Sequence, residues 1–152
     1  MTAVEFLAWW GAIVSTIVLA WDIYKWKTAG AKLRISSSSN MESYNIPELE
    51  GKDLITTNVA NLGDRPTTIT TVALVFYKSK FHKIFNKSNK VFILPMPNTA
   101  QPLPFVLNPG GIWTGIGEQT KDIKRMASKG VLEWQVFHAQ SKKPASVVIE
   151  IN

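Results

Sequence analysis

The 152-residue sequence contains no cysteine, and this absence excludes several kinds of chemistry. Without cysteine there is no disulfide framework, no thiolate zinc site and no cysteine nucleophile. Histidine is scarce as well, because His82 and His138 are the only two and neither belongs to a metal-binding motif. The carboxylates are scattered singly, without the pairing that acid–base catalysis needs. The sequence therefore predicts a non-enzymatic protein without a cofactor or a bound metal.

Glycines are clustered in one part of the chain, between residues 110 and 117. Gly110, Gly111, Gly115 and Gly117 superficially resemble a phosphate-binding loop. A true phosphate loop lies between a strand and a helix and continues into a Lys-Ser/Thr pair, which is absent here. We interpret these four residues as turn glycines.

Charge is nearly absent from the start of the chain, where residues 6–24 contain a single charged side chain, Asp22. Nineteen helical residues extend about 28 Å, close to the thickness of a bilayer's hydrocarbon core. Aromatic residues mark both ends of this run, as in the belts at membrane interfaces: Trp9, Trp10, Trp21, Tyr24 and Trp26. Residues 1–27 are therefore predicted to form a single transmembrane helix.

Two other interpretations of this segment remain open. A cleaved signal peptide would have basic residues before the apolar run and a small-residue cleavage site after it. Here Glu5 precedes the run, and bulky, basic residues follow Ala20. A buried core helix in a soluble protein is the second alternative, which the modest length and Asp22 permit.

The distribution of basic residues predicts an orientation. Lys25, Lys27, Lys32 and Arg34 closely follow the apolar run, whereas no lysine or arginine precedes it. Cytoplasmic flanks of membrane helices carry an excess of such residues. We therefore expect a single-pass protein of the cytoplasmic (inner) membrane, with the N-terminus outside and the C-terminal domain in the cytoplasm.

Small residues form a stripe along one side of the predicted helix: Ala8, Gly11, Ala12 and Ser15. Small residues let two membrane helices approach closely. The stripe is a candidate self-association face, and a homo-oligomer is one partner that the sequence predicts. The alternative is that small residues are simply common in membrane helices.

Residues 28–152 are enough for one domain. Short β-branched or alternating runs are separated by Gly, Pro, Asn and Asp, a pattern typical of strands. Strands are predicted at residues 31–37, 53–61, 67–78, 91–94, 103–107, 112–116, 131–139 and 145–151, with one or two helical turns within 118–129 that end at Gly130. Such a series predicts an antiparallel β-sandwich, with a small closed barrel as the alternative. In the turn at residues 62–66, Gly63 is expected to supply a positive φ.

The run NVANLGDRPTTITTVAL at residues 58–74 resembles the strand–turn–strand element of immunoglobulin-like domains. LNPGGIW at residues 107–113 resembles their second turn. The chain is similar in these segments to uncharacterised bacterial proteins that combine one N-terminal helix with one such domain. This resemblance implies an immunoglobulin-like β-sandwich and membrane anchorage, and it implies no catalytic or ligand residues.

Residues 77–90 combine five lysines with aromatic residues and contain no acid. The candidate contact residues for an anionic surface or ligand are Lys78, Lys80, Phe81, His82, Lys83, Phe85, Lys87 and Lys90. Lysines attract phosphates, and aromatic rings stack on bases or insert at a lipid interface. A bilayer surface is the favoured anionic partner and nucleic acid is the weaker interpretation. The alternative is a solvated loop between strands, with Phe81 and Phe85 packed beneath it.

Taken with the net charge of +6, these features predict a membrane-anchored domain that mediates an interaction or senses a ligand. Its expected partners are the bilayer and either another protein or a second copy of the chain. The layout also resembles membrane effectors of bacterial anti-phage systems, in which a small β domain senses a nucleotide signal. That resemblance implies an alternative function, in which the helix self-associates when the β domain binds a nucleotide-like or protein trigger.

Overall fold

The computed structural model describes residues 2–44, 46–85 and 87–151, and it divides the chain into two compact units, Met1–Gly30 and Ala31–Asn152. The first unit consists of helix α1, Ala3–Thr28. Thr2 caps its start, because the Thr2 hydroxyl accepts the Glu5 N–H while the Glu5 carboxylate accepts the Thr2 N–H. No described residue of α1 is buried, and by length and composition the helix is apolar enough to cross a membrane.

The second unit contains two antiparallel β-sheets and two short helices in its described residues. The elements are β1 (Leu33–Met41), β2 (Leu54–Asn61), β3 (Thr67–Tyr77), α2 (Lys80–Ile84), β4 (Lys90–Ile93), β5 (Phe105–Leu107), β6 (Ile112–Glu118), α3 (Lys121–Lys129), β7 (Val131–His138) and β8 (Ala145–Ile149). One sheet has the order β1-β2-β6. The other has the order β4-β3-β7-β8, and β5 pairs with the first part of β3. The unit therefore contains more strand than helix, and the predicted antiparallel β architecture is confirmed at that level.

Both sheets contribute to one hydrophobic core. Its buried members are Ile55, Val59 and Trp113 from the first sheet, and Ile69, Val72, Leu74, Phe76, Leu107, Leu132, Trp134, Val136 and Ile149 from the second. Strand β3 is buried from residue 72 to residue 77 on both of its faces, since Val72, Leu74 and Phe76 belong to this core and the alternate residues 73, 75 and 77 belong to a second buried cluster. This central strand coincides with the β-branched run that the sequence predicts.

Two of the four clustered glycines lie inside the core, so the prediction that all four are turn glycines is wrong. Gly115 and Gly117 are in strand β6, beneath the indole rings of Trp113 and Trp134. A Cβ atom on Gly115 would lie 2.7 Å from Cη2 of Trp113, and one on Gly117 would lie 3.1 Å from Cζ3 of Trp134. These glycines therefore make room for two large buried rings. Gly110, with φ of +74°, does lie in a turn.

The turn after β2 is closed by a buried asparagine. The Asn61 amide oxygen accepts the N–H groups of Lys32 (3.2 Å) and Gly63 (3.0 Å), and its amide nitrogen donates to the carbonyl of Arg65 (2.8 Å). Within the described ranges the glycines of positive φ are Gly30, Gly51 and Gly110, so the positive φ expected of Gly63 is wrong. The turn depends on the Asn61 side chain, which replaces the missing backbone partners.

Candidate functional site

The basic aromatic stretch at residues 77–90 connects β3 to β4 and contains helix α2, which the sequence does not predict. The helix begins at a Ser79 cap, whose hydroxyl accepts the N–H of His82 at 3.4 Å. The His82 ring returns to the same hydroxyl, with 2.8 Å between Nδ1 and Oγ. His82 is thus tied to the start of α2.

Helix α2 directs a lysine toward the sheet. The Lys83 ammonium lies 3.1 Å from Oε1 of Glu133, whose side chain on β7 is only 5% exposed. Glu133 is also held by its neighbours, because the Gln135 amide donates to its Oε2 at 3.1 Å and to the hydroxyl of Tyr77 at 3.1 Å. One end of α2 is therefore attached to a buried carboxylate by an ion pair.

This polar cluster shifts two pKa values. Burial on its own raises the pKa of Glu133, but hydrogen bonds from Ser146, Gln135 and Lys83, together with the Lys83 charge, outweigh it and leave the pKa below its ordinary value. Burial raises the pKa of Tyr77, and the negative charge of Glu133 raises it further. Glu133 is therefore ionised at neutral pH, and its charge is matched by Lys83.

The apolar residues of α2 point the other way. Phe81, Ile84 and Phe85 are 73%, 74% and 78% exposed, respectively. Their spacing of three and four positions places them on one side of a helical turn. The interpretation in which Phe81 and Phe85 pack beneath the loop is therefore wrong. We call these three residues, together with the exposed Lys80 and Lys87, the α2 surface.

Two separate hollows are lined by six of the eight predicted contact residues. One, of about 510 Å³, is lined by Phe81, His82, Phe85 and Lys87. The other, of about 560 Å³, takes Lys78 and Lys90 and adds residues that the sequence analysis missed: Phe76, Arg125, Met126 and Lys129. We call this second hollow the basic pocket. Arg125 and Lys129 are one helical turn apart in α3, but nothing local to that segment indicates that they adjoin Lys78 and Lys90.

The small-residue stripe lies on α1. A Cβ atom on Gly11 would meet nothing within 4 Å, and the Ser15 hydroxyl donates to the Gly11 carbonyl at 2.8 Å. A shallow groove of about 290 Å³ on this helix includes Ala12 and is lined by Trp9, Ala12, Ile13, Thr16 and Ile17. Of the four predicted stripe residues, Ala12 is therefore the one in the groove.

The surroundings of the second histidine, His138, indicate a structural role. His138 Nδ1 lies 3.2 Å from the hydroxyl of Thr67, and burial lowers the pKa of its ring. Within residues 2–44, 46–85 and 87–151, no group of three or more His, Asp or Glu side chains is placed to hold a metal ion.

No family model matches the chain, and no curated protein matches it. Among solved structures, the chain is similar to a Bordetella pertussis protein assigned as ApaA, with 13% identity and a TM-score of 0.38 over 80% of this chain and 91% of that one. It is also similar to a structural-genomics target designated SoR45, with 9% identity and a TM-score of 0.37 over 79% and 82% of the two chains. Both are structural-genomics targets, and similarity at this level identifies no family for the chain.

Proposed function

We propose that this protein is a membrane-anchored, non-enzymatic interaction module, in which α1 is the single transmembrane anchor. The observation that carries the proposal is the complete exposure of α1, an apolar helix of 26 residues without one buried residue among those described. Each large apolar side chain left in water forgoes about 1.5–3 kcal/mol of burial free energy. A helix so rich in Ile, Val, Leu and Trp therefore needs an apolar environment, and a bilayer provides one along its whole length.

The second unit, in this proposal, is an immunoglobulin-like β-sandwich in the cytoplasm. Two antiparallel sheets that share one core support the sandwich. The four basic residues that follow the apolar run of α1 support the cytoplasmic orientation. Ser141 is exposed and the chain lacks cysteine, so Ser141→Cys gives a single reporter. It should resist an impermeant thiol reagent in intact cells and react after lysis; reaction before lysis would reverse the orientation.

The α2 surface contacts the headgroup region of the same bilayer. Four residues, Ala29 to Lys32, join α1 to β1 and extend at most about 14 Å, so the start of β1 stays within that distance of the end of the anchor. Exposed Phe81, Ile84 and Phe85 suit the boundary between headgroups and acyl chains. Each neighbouring lysine adds up to about 1 kcal/mol of attraction to anionic lipids, reduced by salt.

Anchorage is tested by fractionation. The full chain should remain with membranes after alkaline carbonate washing and should need detergent for release. Deletion of residues 1–27 should leave a soluble, folded, β-rich domain. Aggregation of the truncated chain, together with detergent-free solubility of the full chain, would show instead that α1 belongs to a globular core.

Lipid contact by α2 is tested with the full chain in nanodiscs. An environment-sensitive dye on Phe85→Cys should shift its emission to the blue when phosphatidylserine replaces part of the phosphatidylcholine, whereas the same dye on Ser141→Cys should not. Changing Lys80 and Lys87, the two lysines of the α2 surface, to Gln should reduce the shift, because each contributes up to about 1 kcal/mol of attraction to anionic lipid. Equal emission from both dye positions in both lipids would contradict the contact. Binding of the truncated domain to an oligonucleotide but not to anionic vesicles would favour nucleic acid instead.

A second candidate function is that of an effector whose helices self-associate when the β domain is triggered. The groove beside Ala12 and the bare backbone at Gly11 favour this alternative. In that case overproduction should permeabilise the membrane, and Gly11→Leu with Ala12→Leu should abolish both the toxicity and the crosslinking between copies. Val14→Leu with Trp21→Leu, at positions that belong to neither the stripe nor the groove, serves as the control. Overproduction without toxicity or crosslinking would remove this candidate.

A further inference from the structure

The basic pocket lies where the end of β3, the beginning of β4 and the second half of α3 meet. Its volume of about 560 Å³ falls within the range of about 300–1,000 Å³ typical of small-molecule sites. Four of its six lining side chains are cationic: Lys78, Lys90, Arg125 and Lys129. Lys78 and Lys90 belong to the stretch predicted from the sequence, while Arg125 and Lys129 come from another element, so the pocket exists only in the folded domain.

Most of the positive charge in the pocket is unmatched by carboxylates. None of the ion pairs among the described residues involves Lys78, Lys90 or Lys129. Arg125 pairs with Asp122, at 2.8 Å between Nη2 and Oδ1, but both side chains are more than 60% exposed. Such exposed pairs exchange easily with another anion. Like charges around one hollow repel one another, and a bound anion relieves that repulsion.

The C-terminus of α3 accounts for the position of Lys129 but not for the other cations of the pocket. Lys129 is in the last turn of α3, where a cation favourably meets the partial negative charge of the helix C-terminus. Lys78 and Lys90 are on the β3–β4 connection and at the start of β4, outside any helix. A structural role for Lys129 therefore leaves the convergence of the other cations unexplained.

The backbone around the pocket is fixed by specific contacts. Asn89 joins its two lysine-bearing segments, because the Asn89 N–H donates to the Phe76 carbonyl at 2.9 Å and the Asn89 side chain accepts the Lys78 N–H at 3.0 Å. Gly130 lets the end of α3 approach β3, since a Cβ there would collide with the carbonyl oxygen of Tyr77. The cations therefore project from backbone held in place before any ligand arrives, which lowers the entropic cost of binding.

The floor of the pocket is apolar. Phe76 is a member of the hydrophobic core, and Met126 packs against that core. An aromatic ring and a thioether favour an organic group. Arg125 can offer two parallel N–H donors to a phosphate, and lysines supply point charges around it. We propose that the basic pocket binds the phosphate of a phosphate monoester whose organic part lies against Phe76 and Met126.

This inference goes beyond the anchoring and the α2 lipid contact, and it depends on neither. The test uses the full chain in phosphatidylcholine nanodiscs, with phenyl phosphate and inorganic phosphate as the probes in isothermal titration calorimetry. Phenyl phosphate should bind more tightly than inorganic phosphate, and its affinity should fall with added salt, because screening weakens charge pairs. Equal affinities would overturn the role of the apolar floor, and absence of phenyl phosphate binding at low salt would overturn the site.

Variants locate the binding. Lys78→Gln with Lys90→Gln should weaken phenyl phosphate binding by about tenfold or more, since each hydrogen bond to a charged group contributes about that much to an equilibrium constant. Lys142→Gln with Lys143→Gln removes the same charge from the exposed β7–β8 turn and should leave the affinity unchanged. Asp122→Asn frees Arg125 and should tighten binding, a gain that no loss of folding can imitate. Equal weakening in the control pair, or no change in the pocket pair, would overturn the assignment.

The phosphate monoester could be a soluble molecule or a lipid headgroup, and competition separates the two. Phosphatidic acid carries a phosphate monoester on a lipid. If its inclusion in the nanodiscs displaces phenyl phosphate, and the Lys78→Gln, Lys90→Gln variant abolishes that displacement, the pocket receives a headgroup. If phenyl phosphate binds equally well with and without phosphatidic acid, the pocket receives a soluble ligand.

Discussion

Helices α2 and α3 begin with the same kind of cap, but they turn opposite kinds of side chain toward the rest of the domain. Each has a hydroxyl cap, Ser79 or Thr120, that accepts a backbone N–H three residues later at 3.4 Å. In α3, Ile123 and Met126 pack against the core and the charged side chains point outward. In α2, Lys83 points toward the sheet and the large apolar residues of the α2 surface point outward.

This difference indicates that burial of apolar side chains holds α3 against the domain, whereas an ion pair holds α2. An apolar side that faces water contributes no burial free energy to the position of its helix. A contiguous exposed apolar patch usually marks an interaction surface. The buried carboxylate of Glu133 supplies the compensating contact, because a charge enclosed in the protein needs a partner. The outward-facing apolar side of α2 is therefore the arrangement that a lipid or protein contact at this helix would require.

The largest expected effect comes from removing the ion pair beneath α2. Lys83→Met should lower the free energy of unfolding of the domain by about 2–3 kcal/mol. Breaking a buried pair costs about 3–5 kcal/mol, and that cost is reduced here because the Lys83 side chain is 35% exposed. Urea unfolding of the chain lacking residues 1–27, followed by circular dichroism, measures the change.

The matched control is Lys124→Met in α3. Lys124 pairs with Asp53, but both side chains are more than 40% exposed, so the loss should be within about 1 kcal/mol. Similar losses from Lys83→Met and Lys124→Met would show that α2 is not held by a buried charge, and the contrast between the two helices would disappear.

The next largest expected effect on stability comes from truncating an apolar side chain in each of the two helices. Ile123→Ala in α3 should cost about 1–2 kcal/mol, because Ile123 is half-buried against the core and truncation leaves part of a cavity. Ile84→Ala in α2 removes the same atoms from an exposed residue and should change stability by about 0.5 kcal/mol or less. The same urea experiment compares the two. An equal cost at Ile84 would mean that the α2 surface is covered within the domain.

The smallest expected effect is the pH dependence of the ion pair. The pKa of folded Glu133 is below its ordinary value of 4.5, so the carboxylate contributes stability that is fully present above pH 4.5. That contribution is lost as the pH falls through the lower folded pKa. The stability difference between wild type and Glu133→Gln should therefore shrink on acidification below pH 4.5. A difference that is constant with pH would show that the carboxylate has the same pKa in the folded and unfolded chain.

Local patterns in the sequence determine a large part of this molecule. The apolar run that becomes most of α1 and the β-branched run that becomes β3 are readable because helix and strand formation depend on neighbouring residues. The stop of α3 before Gly130 follows from the same local rules. These features concern which residues form an element, and backbone propensity and hydrophobic period settle that question.

Only the tertiary structure decided which way α2 faces and which cations converge. Lys83 and Glu133 are on different elements, as are Lys78 and Lys129, and no local pattern states that they meet. The same holds for Gly115, whose lack of a side chain matters because the Trp134 ring from another strand lies above it. Composition and spacing therefore predicted a basic aromatic segment, but its orientation depends on the energy of a buried charge and of close packing, which exist only when distant strands come together.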